Sequence, residues 1–254
     1  NALQEMNLLL QQQNVELEQR NEEISTFAFV ASHDLKEPLR KIHTFSDWLL
    51  ERETQHLSPK GQDFLKRLNT SVHRLNMLID DILVLTKIHT DTRSDEDVNL
   101  NEVIKAVEED LTEMISTTKA SIYTEPLPTI TSNRNQLFYL FRNLIHNSIK
   151  FRQPNTKPVI EISADVERNV DHPHAQPKQE YLKIAIQDNG IGFDQKYIRK
   201  IFKIFQQLHA RGEYTGTGMG LAICRKIMEN NKGFITAEGV PGEGSVFYCY
   251  FPLY

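Results

Sequence analysis

Cysteine is scarce in this chain of 254 residues, with only Cys224 and Cys249 present. Two thiols in so long a chain make no disulfide framework, and they predict a reducing, cytoplasmic setting. No apolar run approaches the roughly 20 residues a membrane span requires. The opening residues lack the basic and apolar regions of a secretory leader. Positive charge is not in excess either. The net charge of −5 removes any general reason to expect nucleic-acid binding. What is present is ordinary for a globular protein: 39% hydrophobic and 25% charged residues, enough to build a core. The chain opens on Asn1 and its first methionine is Met6. This predicts a piece of a longer chain, with a sensor or membrane region upstream.

Heptad spacing dominates the first third. Leu3, Leu10, Leu17 and Ile24 stand seven apart, a coiled-coil seam over 1–23 that Gln13 and Arg20 interrupt. The pattern continues through Ile24, Phe27, Ala31, Leu35, Ile42, Phe45 and Leu49, which fall within roughly 40° of one line on a helix. Pro38 removes a backbone donor within this helix and predicts a bend. A stop near Glu53 is followed by Ser58 and Pro59, residue types suited to N-cap and first helical position. Leu65, Leu68, Val72, Leu75, Ile79 and Ile82 then mark a second narrow stripe. Two such helices make an antiparallel hairpin over 24–90, and two hairpins make a four-helix bundle, so a homodimer is expected.

An acidic, polar stretch at 91–97 reads as a linker. From 98 to 254 the pattern is mixed. Helices are predicted over 101–118, 133–151 and 217–231. Strands are predicted over 159–166 and 181–187, with a Pro-containing loop over 168–180 between them. A closing hairpin is predicted from 234–237 and 245–251, around Gly239, Gly242 and Gly244. The fold class is therefore α plus α/β: a helical hairpin followed by an α/β sandwich.

Three motifs carry chemistry. On the helix over 133–151, Asn143, Asn147 and Lys150 share one stripe, away from Leu137, Phe141, Leu144 and Ser148. Amide oxygens and an amine there suit a magnesium–phosphate group, with Asn147 as a protein ligand of Mg²⁺ and Lys150 as a point charge. A solvated polar face has the same pattern. Asp188-Asn189-Gly190-Ile191-Gly192 follows a strand. Its carboxylate can accept from an exocyclic amine, and its glycines allow close backbone approach. A tight turn is the alternative. Gly216-Thr217-Gly218-Met219-Gly220 opens a helix and offers N–H groups to anions, or simply caps that helix. It is no dinucleotide fingerprint, since no strand immediately precedes it. All three in this order within one domain point to a nucleotide.

His33 lies roughly 200° from Ala31 on the first helix and so faces solvent, beside Asp34. With the motifs above, the chain resembles the catalytic core of a sensor histidine kinase, of the gyrase/chaperone/kinase ATPase superfamily. The run from Ser32 to Arg40 is most similar to that of phytochrome-type kinases. The resemblance implies a homodimer that binds ATP with Mg²⁺, phosphorylates itself on His33 with Asp34 assisting, and relays the phosphoryl group to a response-regulator receiver domain. It implies nucleotide contacts from Asn143, Asn147, Lys150, Phe151, Asp188, Gly190 and Gly192. It implies others from an F box, Phe202 and Phe205, and from Gly216, Thr217, Gly218, Gly220 and Leu221. A lid over 193–215 would bring Arg211 to phosphate. In these terms 1–23 is a signalling helix, 24–90 the phosphotransfer domain and 98–254 the ATP-binding domain.

Two rival readings are an ATP hydrolase of the same superfamily and an ATP-binding scaffold without transfer. Hydrolytic relatives carry a water-activating glutamate where this chain has Asn143, and an amide cannot take that proton. The intact His33, Asp34 and glycine boxes speak against the scaffold. One departure concerns phosphatase chemistry. The fourth residue after His33 is Glu37, where many such kinases have threonine or asparagine, and an ionised carboxylate cannot donate to water.

Overall fold

The computed structural model describes residues 2–90, 95–168, 170–208 and 216–253. The chain divides into two compact units, Asn1–Thr92 and Arg93–Tyr254.

The first unit is a helical hairpin. Helix α1 (Ala2–Arg52) runs unbroken through Pro38. A 3₁₀ turn (Thr54–His56) leads to α2 (Pro59–Thr90), where Ser58 Oγ accepts from Gly61 N at 3.1 Å, the N-cap bond its position predicts. The side chains of Leu3 and Leu17, in the predicted seam, lie outside the described residues.

The predicted stripe of α1 is not what packs against α2. Ser32 and Ser46 are buried there, with Ala28, Leu39, His43 and Leu50 half-buried beside them. Phe27 and Phe45 are 75% and 61% exposed, and Ile24, Leu35, Ile42 and Leu49 are also open. On α2 the predicted stripe splits in two. Val72 and Ile79 turn inward, while Leu68, Leu75 and Ile82 stay exposed. Small residues let the two helices approach closely, and the bulky neighbours are displaced sideways onto a second face. Polar bonds hold the inner seam: Asn69 Nδ2 donates to Asp47 Oδ1 at 2.7 Å, Ser46 Oγ donates to Asn69 Oδ1, and Lys36 pairs with Asp80 at 2.5 Å.

The second unit is an α/β sandwich. Its order is β1 (Glu96–Asn99), α3 (Leu100–Asp110), α4 (Thr112–Thr118), β2 (Ser121–Thr124), β3 (Thr129–Ser132), α5 (Arg134–Lys150), β4 (Val159–Arg168), β5 (Glu180–Asp188), α6 (Ile198–Ile201), α7 (Gly220–Asn230), β6 (Phe234–Val240) and β7 (Gly244–Pro252). β1 pairs with β3, and the main sheet runs β2-β4-β5-β7-β6, antiparallel except for β2 with β4. Alternation along β5 sends Leu182, Ile184 and Ile186 to one face and Tyr181, Lys183 and Ala185 to the other. On α5, Leu137, Leu140, Phe141, Leu144, Ile145 and Ile149 are fully buried, which makes this helix the spine of the core.

Several expectations need correction. The linker over 91–97 ends earlier, because Glu96 and Asp97 pair with Ser132 and Thr131 in a strand; 91–94 are outside the described residues. The helix over 101–118 is two helices, broken at Leu111. The helix expected from Thr217 begins at Gly220. The stretch 168–180 is not a free loop: Arg168 and Glu180 extend the ladder and pair at 2.7 Å, and His172 stacks on Phe234 at 4.3 Å. Val170 and Ala175 pack with it over Tyr181, Phe234 and Tyr250, burying that part of the sheet's second face.

Candidate functional site

The candidate nucleotide site forms where α5, the end of β5 and the start of α7 meet. Asn133 caps α5 through Asn135 N and Gln136 N, and the apolar row of that helix docks on the sheet. This leaves Asn143, Asn147 and Lys150 half-buried on the row opposite. The second glycine box lies against that row. A Cβ added at Gly220 would stand 3.0 Å from Asn143 Oδ1, and one at Gly216 would stand 2.5 Å from Lys150 Nζ. Asn143 and Lys150 are thus brought together with the N-terminus of α7, and Asn147 lies between them. Lys150 Nζ also sits 4.5 Å over the Phe151 ring, and burial lowers its pKa.

The N-cap residue of α7, Met219, makes no side-chain capping bond. The first turn of such a helix offers N–H groups at the positive end of its dipole, an arrangement suited to anions. Thr217 Oγ1 accepts from Met219 N at 3.2 Å just before the helix. Gly218 has φ of +76°, and its backbone abuts Gln206. Gln207 Nε2 donates to Gly216 O at 2.6 Å. Leu221 follows in the first turn, half-buried.

Asp188 ends β5 with only 8% of its surface exposed. Its Oδ1 accepts from Gly190 N (2.8 Å) and Ser245 N (3.3 Å), and its Oδ2 from Ser245 Oγ (2.6 Å) and Ser148 Oγ (3.3 Å). Burial raises its pKa, and the bonds from Ser245, Gly190 and Ser148 oppose the rise. Ser148 has a second acceptor, Leu144 O at 3.2 Å. A single hydroxyl proton cannot serve both, so one lone pair of Asp188 can be released to a ligand amine. Gly190 lies so close to α5 that a Cβ would stand 2.6 Å from Phe151 O. Gly192, with φ of +62°, abuts the Val240 carbonyl, where no side chain fits.

The two F-box aromatics separate. Phe202 is buried, whereas Phe205 is 61% exposed with φ of +62°. Arg211 lies outside the described residues, as do 209–215 of the expected lid. His146 is half-buried on α5, about 40° around the helix from Lys150. Burial, then the charges of Lys150 and Arg142, lower its pKa to about 4 against a smaller pull from Asp110.

In the hairpin, His33 projects from α1 with its side chain 76% exposed, and its Nδ1 lies 3.3 Å from Asp34 Oδ1. A proton on Nδ1 directed at that carboxylate leaves Nε2 with the free lone pair. Glu37 pairs with Lys41 at 2.7 Å.

Residues 132–254 match the family described as histidine kinase-, DNA gyrase B- and HSP90-like ATPase. Residues 23–91 match the His kinase A phospho-acceptor domain. The chain belongs to the sensor histidine kinases. It is 40% identical over 234 residues to cyanobacterial phytochrome A of Nostoc sp., covering 91% of this chain and 29% of that protein. The phytochrome-like protein Cph1 of Synechocystis sp. is 38% identical over 231 residues, with the same coverage. Full-length ShkA, crystallised in complex with AMPPNP, shares the fold with a TM-score of 0.61 at 21% identity, over 89% of this chain and 45% of that one. The chain spans under a third of the length of these two curated relatives. No described helix is long and apolar enough to cross a membrane.

In this histidine kinase core, sequence reasoning missed the hydroxyls that surround Asp188. Helical spacing puts Ser148 on the packing face of α5, and that position is what aims it at the carboxylate. Ser245 is 57 residues from Asp188 and reaches it only because β5 and β7 are neighbours, with Asp188 paired to Ser245. Alternation in the 245–251 strand signals the ladder but not its register.

Proposed function

We propose that the protein binds ATP between α5, β5 and α7, transfers its γ-phosphoryl group to His33, and passes it to an aspartate of a response-regulator receiver domain. One observation carries this reading: a solvent-exposed histidine beside a carboxylate shares a chain with a glycine-lined polar site around a buried Asp188. Asp188 accepts from the adenine 6-amine. Lys150 and the N–H groups at the start of α7 take the phosphates. His33 Nε2 attacks the γ-phosphorus, the bond to the β,γ-bridging oxygen breaks, and ADP leaves with those electrons. The ring becomes an imidazolium, and Asp34 stabilises it through the Nδ1 proton.

Magnesium fits the donor set. Among the described residues no group of three His, Cys, Asp or Glu side chains could hold a metal ion alone. The polar row of α5 instead offers amide oxygens, and Mg²⁺ takes few protein ligands when phosphates and waters supply the rest. Asn147 would hold it, with Asn143 adjacent. When bound, the ion neutralises phosphate charge.

The open apolar faces of the hairpin support a homodimer. Phe27, Phe45 and Phe64 are exposed on one copy, and each would contribute roughly 1.5–3 kcal/mol when fully covered. An upstream sensor domain would drive this bundle through the helix over 1–23. Glu37, held by Lys41, has no free donor to position water, so the core would be a poor phosphatase toward its regulator.

The test is incubation with Mg-ATP labelled at the γ position. Acid-labile, base-stable label should appear on the wild type and be absent from His33→Gln. Equal labelling of that variant would remove His33 as the acceptor.

A further inference from the structure

The segment between α5 and β4, Arg152 to Pro158, is a polar loop that no motif covers. Most of it is exposed, but Gln153 is half-buried. Its Nε2 lies within hydrogen-bond distance of three backbone carbonyls: Gly242 at 2.8 Å, Gly190 at 3.1 Å and Asn189 at 3.2 Å. Two amide protons are thus spread over two segments that both hold Asp188. Gly190 lends its N–H to Asp188 Oδ1. The turn at Gly242 leads into β7, whose Ser245 donates to both carboxylate oxygens.

The loop is tied down from the other side as well. Asn189 Oδ1 accepts from Val159 N at 2.9 Å, and its Nδ2 donates to Lys157 O at 3.0 Å. Ile191 N donates to Phe151 O at 2.9 Å, and Gly242 N donates to Ile191 O at 2.8 Å. Gln153 stands where the end of α5, the first glycine box and the β6–β7 turn converge. It does not touch the Asp188 carboxylate itself.

With Asp188 as the adenine acceptor under the reading above, we propose that Gln153 is a positioning residue for base recognition, a donor that locks the two segments carrying Asp188's hydrogen-bond partners. Only a side chain with N–H groups at this reach fits. A glutamate of the same length would aim carboxylate oxygens at three carbonyl oxygens, leaving each without its donor.

The experiment compares binding of ATP and inosine triphosphate, which carries an oxygen in place of the 6-amine. Wild type should prefer ATP by about tenfold or more, the scale of one hydrogen bond to a charged group. Asp188→Asn should erase that preference. Gln153→Glu should weaken ATP about tenfold and inosine triphosphate about twofold or less, so that the ratio collapses. Gln153→Met, which keeps the length and lacks donors, should lie between the two, and it carries the test if the glutamate variant unfolds. An unchanged ATP-to-inosine ratio in the Gln153 variants, or an equal loss for both nucleotides, would overturn the positioning role while leaving Asp188 in place. A wild type without preference, or an Asp188→Asn variant that keeps it, would remove the adenine assignment itself and this proposal with it.

Discussion

The hairpin and the sandwich solve the burial problem differently. In the sandwich, α5 places Leu137, Leu140, Phe141, Leu144, Ile145 and Ile149 out of contact with water, and the sheet does the same for Ile160, Ile184 and Ile186. That core is complete within one chain. The hairpin buries only Ser32 and Ser46 on α1 and Val72, Ile79 and Ile88 on α2 among its described residues, and leaves Phe27, Phe45, Trp48 and Phe64 exposed. A region that keeps its aromatic residues on the surface has a stability that depends on what covers them. The sandwich can therefore hold a rigid nucleotide site, while the hairpin presents His33 on a surface whose apolar side chains the proposed second copy would cover.

This contrast can be broken most sharply from the sandwich side. Phe141→Ala removes a fully buried ring and should cost about 3–5 kcal/mol, read as a lower melting temperature of that unit and lost nucleotide binding. Retention of both would mean that the core does not support the pocket. From the hairpin side, Phe45→Asp should raise the dimer dissociation constant roughly 100-fold, the scale of an interface hot spot. Sedimentation would show this, with ATP binding unchanged. A variant that stays dimeric places the interface elsewhere.

His146 gives a smaller, pH-dependent effect confined to the sandwich. The unfolded chain takes up its proton near the ordinary value of 6.5, and the folded one only near 4. Stability from this site is complete above pH 6.5 and is lost as pH falls from 6.5 toward 4, on the order of 2–3 kcal/mol. His146→Gln should flatten that limb of the denaturation curve, and an identical acid limb would show that the histidine is not buried neutral. Smallest is Ser58→Ala, which removes the cap of α2 and should cost about 1 kcal/mol in hairpin stability with no change in nucleotide affinity. A nucleotide effect from that cap would show the two regions to be coupled.

Much of the fold was legible from pattern. Long heptads announce themselves over many turns, and Ser58-Pro59 and Asn133 mark helix starts by their chemistry. The strands β1, β2 and β3 were not legible, because four residues hold too few alternations to rise above loop composition. The break at Leu111 was hidden for a related reason: the residues on both sides favour helix. Within the site, Asp188 and the glycine boxes stood out by local spacing. Ser148, Ser245 and Gln153 did not, since each reaches its target across a helix, a sheet register or a loop.

The sequence by itself determined that there is a helical segment with an exposed His33 beside Asp34, and a later domain with three nucleotide motifs in a recognisable order. Those features are periodic or local, so spacing along the chain suffices to reveal them. Tertiary structure alone decided which face of α1 meets α2, because small side chains admit a neighbouring helix more closely than the bulky stripe does. It also decided that two hydroxyls attend Asp188, and that Gln153 spans two turns. Those relations depend on through-space distance between segments remote in sequence, and packing sets that distance.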